Sequence, residues 1–480
     1  MNRSRRQVPG QRYSQASPQG KVQVLVSALH AVLALGGIGW ALAAQVRESR
    51  ADTVRILHHD LDALQARAEL IQQARDEINV ASYVIGDGRV PLSVFALLRD
   101  AARRGVTVRV IVDGHRGNNL ISPAVLSLLK REGVEIREFR RDGRNRPDLG
   151  LQHMHDKLLV VDGMDAITGG RNLADEYFGV GERGGNFVDR DVHVSGYSAA
   201  AARAYFLDRW ATCSPVVPCA GVASDSDRSQ PDQAVERLDA ALAWFLPQGL
   251  SDGLPDHQRS LQGTHHELVV EQATSVSPAR ESRVEFLHDV PGGSKQDAGS
   301  IGPRILELLA AAQRSIILET PYLVMSHRLK HVLRTARSRG ISVCILTNSL
   351  ETNNQLWAHA AYADQRRWMR RHGIELHELK GGDHLHAKAA VIDDATAIIG
   401  SYNFDPLSEK INSEVAILVH DPAVSAGLAA SIREHMERSL AVPSRGNLIG
   451  WDARTNSVDR GTLATFRRRR LIAPVIKPFL

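Results

Sequence analysis

Two short stretches decide the fold, HMHDKLLVVD at residues 153–162 and HLHAKAAVID at residues 384–393. Each is followed by a glycine-containing stretch, GGRN at residues 169–172 and GSYN at residues 400–403. The spacings are identical in both places: two residues from His to Lys, five from Lys to Asp, seven from Asp to Gly and three from Gly to Asn. Because packing alone has no use for a paired His and Lys, the match predicts two copies of one functional unit.

The residues around each stretch repeat one plan of alternating helices and strands. The helical patterns cover 61–75, 91–104, 303–313 and 327–339, and the strand-like runs cover 78–85, 106–112, 315–318 and 341–346. Gly105 and Gly340 stand just past a helical pattern in the two copies, where glycine often ends a helix. Alternation of this kind is typical of α/β units, so we predict an α/β fold built from two repeats.

Composition divides the rest of the chain. We predict a basic tail at 1–21, a transmembrane anchor or signal segment at 22–44, a first α/β domain at 54–220, a connector at 221–283 with one helix at 234–245, a second α/β domain at 284–445 and a C-terminal tail at 446–480. Residues 446–480 are compatible with a segment that contacts the membrane. Their pattern favours a helix on the protein surface, followed by a C-terminal end that packs against the protein.

The positive charge of the protein lies in its N-terminal tail. The chain has 59 Lys and Arg against 54 Asp and Glu, a formal net charge of +5. The first 21 residues hold five basic and no acidic side chains, so the remainder has 54 of each sign. A domain that neutralises many phosphates carries a positive excess of its own. The balance therefore argues against a nucleic-acid partner.

Residues 22–44 form an apolar run of 23 residues without Asp, Glu, Lys or Arg, long enough to cross a bilayer. The basic flank on its N-terminal side keeps the tail in the cytoplasm and sends the body outward. Ala41-Leu42-Ala43 resembles a cleavage site, but the run exceeds the usual signal-peptide core of about 7–15 residues, which favours an uncleaved anchor. In an oxidising compartment, Cys213 and Cys219 either form a disulfide or stay two thiols.

The motif residues suit transfer of a phosphorus group between oxygens. His155 and Lys157 share one strand face, as do His386 and Lys388, because residues two apart in a strand point the same way. One imidazole can attack phosphorus and form a covalent phosphoramidate. The second can protonate the departing alkoxide and then deprotonate an incoming alcohol or water. This chemistry needs no metal and no cofactor.

Other polar residues complete the candidate site. Asn172 and Asn403, with the two lysines, can bind the non-bridging oxygens and stabilise the charge that develops on them. A histidine used in this way needs a carboxylate on its other ring nitrogen, and Asp191 and Glu414 are the candidates. Asp162 and Asp393 complete the candidate catalytic set with the histidines and lysines. Because they fall on the opposite strand face, we expect an orienting or structural role for them.

The duplicated His-x-Lys-x4-Asp pattern, with its downstream Gly-x-x-Asn, resembles the phospholipase D superfamily. The stretches GGRNLADEYF at 169–178, TNSL at 347–350 and GSYNFDP at 400–406 are similar to bacterial cardiolipin synthases, closest to the C-type branch. The resemblance implies two phospholipase D-like repeats packed around one shared active site, with His155 as nucleophile and His386 as general acid/base. The residues alone would permit the reverse. One departure is Gly170, where many relatives have serine.

The resemblance also implies a phosphatidyltransferase that forms cardiolipin from phosphatidylglycerol and a second phospholipid, with phosphatidylethanolamine as a candidate donor. Such an enzyme would be anchored in a bacterial inner membrane, with its catalytic body on the periplasmic side. The alternative within the superfamily is a hydrolase, a phospholipase D or phosphodiesterase, in which water replaces the acceptor alcohol. A non-catalytic lipid-binding or scaffold protein is a third hypothesis, and the two intact motifs argue against it. The sequence does not predict an oligomeric state.

Overall fold

The structure is a computed structural model that describes residues 51–114, 119–139, 152–181, 185–216, 231–245, 279–290, 294–295, 299–446, 448, 450–455 and 457–476. The predicted basic tail, the apolar run at 22–44, Cys219 and most of the connector lie outside these residues. Among the helices that the structure describes, none is long and apolar enough to span a bilayer.

Among the residues that the structure describes, sixteen strands form one continuous sheet and two more pair separately. In chain order the strands are β1 (Asp52–Leu57), β2 (Glu77–Ser82), β3 (Thr107–Asp113), β4 (Val134–Phe139), β5 (Lys157–Val161), β6 (Asp165–Gly169), β7 (Phe187–Val188), β8 (Asp191–Ser195), β9 (Ser214–Pro215), β10 (Arg280–His288), β11 (Ser315–Glu319), β12 (Ser342–Asn348), β13 (Glu375–Leu379), β14 (His384–Leu385), β15 (Ala389–Ile392), β16 (Thr396–Gly400), β17 (Val415–His420) and β18 (Leu440–Ala441).

The sheet has the same strand order on both sides of its centre. The N-terminal half runs outward as β1-β8-β6-β5-β2-β3-β4-β9, and the C-terminal half as β10-β17-β16-β15-β11-β12-β13-β18. The antiparallel pair β1–β10 joins the halves. Within each half the helix-linked strands are parallel, β2 to β4 and β11 to β13. The small pair β7–β14 adds a second link between the halves. The predicted mixed α/β fold is confirmed.

Helices surround this sheet. They are α1 (Asp60–Gln73), α2 (Arg89–Arg103), α3 (Pro123–Arg131), α4 (Tyr197–Thr212), α5 (Pro231–Phe245), α6 (Ile301–Ala311), α7 (His327–Ser338), α8 (Leu356–Arg371), α9 (Pro406–Lys410), α10 (Pro422–Glu437), α11 (Trp451–Thr455) and α12 (Arg460–Ile476). The helices and strands predicted beside the motifs all occur, with ends that differ by up to three residues. Gly105 and Gly340 follow α2 and α7 with φ of 92° and 82°, a conformation that favours glycine.

The motif strands separate a shared core from a core in each half. In β5, Leu158 and Val160 belong to an apolar cluster that contains residues of both halves, whereas Leu159 and Val161 belong to a cluster of the N-terminal half. β15 divides its residues between the shared cluster and a C-terminal one in the same way. Because successive strand residues face opposite ways, both motif strands lie between two apolar layers. The motif strands are thus positioned where the halves meet.

Candidate active site

Each motif histidine contacts a carboxylate from the other half of the chain. His155 Nδ1 lies 2.9 Å from Glu414 Oε2, and His386 Nδ1 lies 2.7 Å from Asp189 Oδ2. The two histidines are 6% and 5% exposed, and both carboxylates are buried. A carboxylate that accepts the Nδ1 proton fixes the ring and leaves the Nε2 lone pair for chemistry. The crossed contacts therefore hold each motif histidine against the other half of the chain.

The carboxylate that contacts His386 is Asp189 and not Asp191, so the prediction for Asp191 was wrong. Asp191 forms ion pairs with Arg67 at 2.8 Å and with Arg171 at 3.3 Å. All the side chains of this ion-pair group are buried or nearly so. Asp191 therefore helps to hold the Arg171 guanidinium beneath the site and does not orient the histidine.

The register of the sheet explains the error. The last residue of β6 pairs with Asp191, the first residue of β8. In the other half, the last residue of β16 pairs with Ala416, the second residue of β17. Asp189, two residues before Asp191, therefore corresponds to Glu414, two residues before Ala416. The prediction for Glu414 named the residue that contacts a histidine, and the matching position in the first half is Asp189.

The two motif lysines lie beside the histidines, as the strand pattern predicts. Lys157 Nζ donates to the carbonyl oxygen of His155 at 2.9 Å, and Lys388 Nζ lies 2.8 Å from His386 Nδ1. Burial and the nearby Lys388 lower the pKa of Lys157 to about 7. Burial likewise lowers the pKa of Lys388 to about 8. When both are protonated, two buried ammonium groups that repel one another can bind an anion.

The two carboxylates have different surroundings. Glu414 accepts hydrogen bonds from the hydroxyls of Ser401 and Ser408, and burial raises its pKa to about 7. Asp189 accepts from the backbone N–H of Arg190 at 2.7 Å. Burial alone would raise the pKa of Asp189, but His386, Lys388 and Arg171 together lower it to about 2. Near neutral pH, one carboxylate is firmly ionised and the other is close to its titration point.

Gly170 makes room for the carboxylate of Asp189. A Cβ atom at position 170 would lie 2.0 Å from Asp189 Oδ1, far inside van der Waals contact. At the corresponding position, Ser401 carries a hydroxyl that binds Glu414. The departure from serine noted in the sequence thus has a steric reason, because Asp189 occupies the space that a serine side chain would need.

The two motif asparagines are buried near the histidines and differ in their contacts. Asn172 Oδ1 accepts from the backbone N–H of Val84 at 3.2 Å. The Asn403 N–H donates to Ser408 Oγ at 3.1 Å, and its side-chain Oδ1 is buried without a hydrogen-bond partner among the described residues. The side-chain oxygen of Asn172 is thus used by the protein, whereas that of Asn403 is not. Their predicted role in binding phosphate oxygens remains a prediction.

The motif aspartates bind backbone. Asp162 and Asp393 follow β5 and β15 with φ of 49° and 58°. The Asp162 carboxylate accepts hydrogen bonds from the N–H groups of Arg75, Asp76 and Glu77, and the Asp393 carboxylate accepts from those of Gln313, Arg314 and Ser315. Each aspartate thus fastens the end of a motif strand to the start of the neighbouring strand, the structural role that the strand pattern favours.

Aromatic rings around the histidines were missed by the sequence analysis. The Tyr83 ring lies 4.8 Å from that of His155, with Lys157 Nζ 4.9 Å from its centre. Tyr177, Phe187 and Tyr322 lie 5.1, 5.2 and 6.4 Å from the ring of His386. Tyr83 and Tyr322 each follow the first helix-linked strand of their half, β2 or β11. A tyrosine within three residues of the end of that strand in both copies was the available signal.

Arg190 is a buried cation that crosses between the halves next to Asp189. Its Nε lies 2.5 Å from Glu319 Oε2, and its Nη1 donates to Ser431 Oγ at 2.9 Å. Nη1 also contacts the ring nitrogen of His58 at 2.7 Å. Because both Arg190 and Glu319 are buried, loss of one partner would leave an uncompensated charge. This network fixes the segment between β7 and β8 that carries Asp189.

Comparison with known proteins agrees with this architecture. The family model described as cardiolipin synthase, PLD-like domain, matches residues 68–190 and 305–439. Cardiolipin synthase C of Escherichia coli (strain K12) is 29% identical over 400 residues, 77% of this chain and 81% of that protein. Cardiolipin synthase A of Klebsiella pneumoniae is 24% identical over 404 residues, 82% of this chain and 71% of that protein.

A solved structure has the same fold over most of the chain. The crystal structure of phosphatidylserine synthase from Haemophilus influenzae Rd KW20 matches with a TM-score of 0.60 and 16% identity, covering 92% of this chain and 99% of that one. The residues matched by the family model are more than half of the 480 in the chain and contain both histidine motifs. The chain therefore belongs to the cardiolipin synthase PLD-like domain family, within the phospholipase D superfamily.

Proposed function

We propose that this protein is a phosphatidyltransferase that forms cardiolipin from phosphatidylglycerol and a second phospholipid through a phosphohistidine intermediate. The observation that carries the proposal is the crossed pairing of two buried histidines with carboxylates, beside two buried lysines. This arrangement supplies a nucleophile, a proton carrier and an anion site together. The cardiolipin synthases and the phosphatidylserine synthase that resemble the chain support phospholipids as its substrate class.

In this proposal the two halves are phospholipase D-like repeats that share one active site. The shared strand order and the matching positions of Asp189 and Glu414 support duplication. Each half contributes the histidine of one pair and the carboxylate of the other. A single half would therefore have an unoriented histidine, so neither is expected to catalyse the reaction alone.

We propose His155 as the nucleophile. Its Nε2 attacks phosphorus of the donor phospholipid, the P–N bond forms, and the bond from phosphorus to the departing headgroup oxygen breaks. His386 gives the Nε2 proton to that oxygen. The terminal hydroxyl of phosphatidylglycerol then gives its proton back to His386 and attacks phosphorus. The P–N bond breaks, and cardiolipin and free His155 are released.

The electrostatics favour this division of roles over the reverse. A firmly ionised Asp189 beside His386 stabilises an imidazolium, which a general acid requires. Burial and Lys388 lower the pKa of His386 to about 3. A phosphodiester bound between the lysines would offset the Lys388 charge and raise that pKa. Burial and Lys157 lower the pKa of His155 well below its usual value, so its Nε2 lone pair is free to attack. Ionised Glu414 then stabilises the positive charge that the attack creates on the ring.

Binding of the phosphodiester is assigned to the four remaining polar motif residues. Lys157 and Lys388 would bind the non-bridging oxygens, with Asn172 and Asn403 donating from their amide nitrogens. The apolar run at 22–44 would anchor the protein in a bacterial inner membrane with the catalytic body on the periplasmic side, beside its lipid substrates.

Product analysis tests the proposal. The purified full chain would be given phosphatidylglycerol with and without phosphatidylethanolamine, and the lipids would be measured by mass spectrometry. We expect cardiolipin from the wild type and none from His155→Ala. His193→Ala is the matched control. This partly exposed histidine lies on β8 and pairs at 2.9 Å with Asp165, which is not a carboxylate of the candidate site. Phosphatidic acid as the sole product would favour the hydrolase, and no turnover of either lipid would overturn the proposal.

A further inference from the structure

We propose that the exposed face of α12 is a docking surface for an anionic lipid bilayer. The surface is defined by Arg467, Arg468, Leu471 and Ile472, and is called the α12 face below. The surface belongs to this one helix, and only the identity of the lipid rests on the proposed function. The sequence alone favoured a plain surface helix here.

One side of α12 is fixed to the protein body. Phe466 and Ala473, seven residues apart, are 3% and 1% exposed and pack in an apolar cluster with Val324 and Leu350. Arg470 adds an ion pair at 2.8 Å to Asp364 of α8. Residues seven apart lie on the same side of a helix, so this contact fixes which side of α12 faces outward.

The opposite side combines bulky apolar and basic side chains. Leu471 is 84% exposed and Ile472 is 50% exposed. Arg467 and Arg468 are exposed as well, and each stands four residues before one of these apolar side chains. Residues four apart are neighbours on a helix surface. A single exposed leucine is ordinary, but two adjacent apolar side chains beside two arginines are the pattern of helices that lie in a membrane interface.

The two arginines of the α12 face determine which kind of surface it binds. Within the part of the chain that the structure describes, neither Arg467 nor Arg468 forms an ion pair with a carboxylate, whereas Arg470 does. Arg469 lies over the ring of Trp357 at 4.9 Å. Two basic side chains that form no ion pair among the described residues attract an anionic surface, and the apolar pair beside them can enter the acyl region. A bilayer that contains phosphatidylglycerol offers both.

The α12 face belongs to the part of the protein next to the candidate active site. The apolar cluster under α12 also packs against Tyr322. The ring of Tyr322 lies 6.4 Å from the ring of His386. The buried side of α12 is therefore joined to the candidate active site through one apolar cluster, and a bilayer bound to the α12 face would lie on the outer side of the same helix.

A fluorescence quenching experiment tests the α12 face. Ile472 would be replaced by the environment-sensitive amino acid dansylalanine in the full chain, which would be reconstituted into phosphatidylglycerol–phosphatidylethanolamine vesicles with a nitroxide on the upper acyl chain. Met164, 54% exposed in the turn between β5 and β6, is the matched control position. We expect about a twofold loss of fluorescence at 472, because interfacial helices bury their apolar face about 5–10 Å into this region, and little loss at 164.

Further arms separate the outcomes. In the double variant Arg467→Gln and Arg468→Gln, quenching at 472 should report an apparent lipid affinity about ten times lower. Phosphatidylcholine vesicles should lower the apparent affinity of the unchanged face to the same extent. Equal quenching at 472 and 164, or none at 472, would overturn the proposal. The proposal would also be overturned if, in lipid-free micelles, the dansyl group at 472 were shielded from solvent to a degree that depends on protein concentration. Such shielding would indicate contact with a second copy of the chain. The measurement is repeated with His155→Ala, so the docking surface and the proposed chemistry can fail separately.

Discussion

Glu414 and Asp189 occupy the same position in the two halves of one sheet, yet their carboxylates differ in protonation. Burial raises the pKa of Glu414 to about 7, although the hydrogen bonds that it accepts from two serine hydroxyls act in the opposite direction. Burial acts on Asp189 too, but His386, Lys388 and Arg171 lower its pKa to about 2. A two-step transfer needs one histidine with a free lone pair and one that carries a proton. Two halves with the same strand order can thus hold histidine–carboxylate pairs that differ in protonation.

The largest effects should come from removing the histidines. We expect His155→Ala and His386→Ala each to lower kcat for lipid transfer by about a thousandfold or more, because each deletes a group that touches the reacting atoms. The two should differ on a phosphodiester with a nitrophenolate leaving group, which needs no proton to depart. His386→Ala should then form and accumulate a phosphohistidine, and His155→Ala should not.

The trapped intermediate decides the assignment of roles. Acid quench and peptide mass spectrometry would locate the added mass on the peptide that contains residue 155 or on the one that contains residue 386. A stable adduct on His386 in the His155→Ala protein would reverse the two roles while leaving the shared site intact. Release of nitrophenol at the wild-type rate by both variants would show that neither histidine is the nucleophile.

Replacing the carboxylates should separate the two pairs by their pH dependence. Asp189→Asn should lower kcat/KM by about a hundredfold or more at every pH from 6 to 8, because a group with a pKa of about 2 is ionised throughout. Glu414→Gln should cost less at pH 6 than at pH 8. The pKa of Glu414 is about 7, so below it the wild-type carboxyl is already protonated and little charge is lost by substitution.

The wild-type profile supplies the reference for this pair of variants. Its kcat/KM should rise as Glu414 ionises near pH 7 and fall as Lys157 and Lys388, with pKa values of about 7 and about 8, lose their protons, which gives a narrow maximum between these values. A Glu414→Gln deficit that stays constant with pH would show that Glu414 is ionised throughout, and the electrostatic difference between the pairs would be lost. Circular dichroism at each pH checks that both variants remain folded.

Local patterns were enough to predict the elements and most of the site. The periodicity of apolar residues placed the helices and strands, and the matched spacings identified the histidines, lysines and asparagines. The partner of His386 required information that local spacing lacks. Asp189 and Asp191 are both acids near the start of β8, and the sheet register decides which one faces the histidine.

Long-range contacts account for the rest of what was missed. His155 and Glu414 are 259 residues apart, and His386 and Asp189 are 197 apart, so no local pattern indicates that the carboxylates cross between halves. The same holds for Arg190 and Glu319. Each of these pairs is created by the meeting of two folded halves, and a sequence read segment by segment predicts the segments better than their contacts.

A smaller effect on kcat is expected at Gly170, which makes room for the carboxylate of the His386–Asp189 pair. Gly170→Ser should displace the Asp189 carboxylate, since a Cβ there would lie 2.0 Å from its Oδ1, and lower kcat by about tenfold through a poorly oriented His386. Ser401→Ala in the other half should change kcat by only a few fold, because Ser408 still binds Glu414. Gly427→Ser is the control, as a Cβ at that glycine meets no atom within 4 Å. Equal losses at 170 and 401 would contradict the steric account.

The smallest difference is expected at Asp162 and Asp393, where the halves should behave alike. Asparagine at either position weakens hydrogen bonds to three backbone N–H groups, which should lower the free energy of unfolding by about 1–2 kcal/mol. Thermal and urea unfolding would measure this loss, with the partly exposed Asp394→Asn as control.

The kcat of both variants should stay within about threefold of the wild-type value, because both carboxylates bind backbone and only hold the motif strands in place. A hundredfold loss of kcat in a folded variant would instead put that aspartate in the chemistry. Matching losses of stability would show a scaffold that is symmetric where it holds the strands, with the asymmetry confined to the histidine–carboxylate pairs.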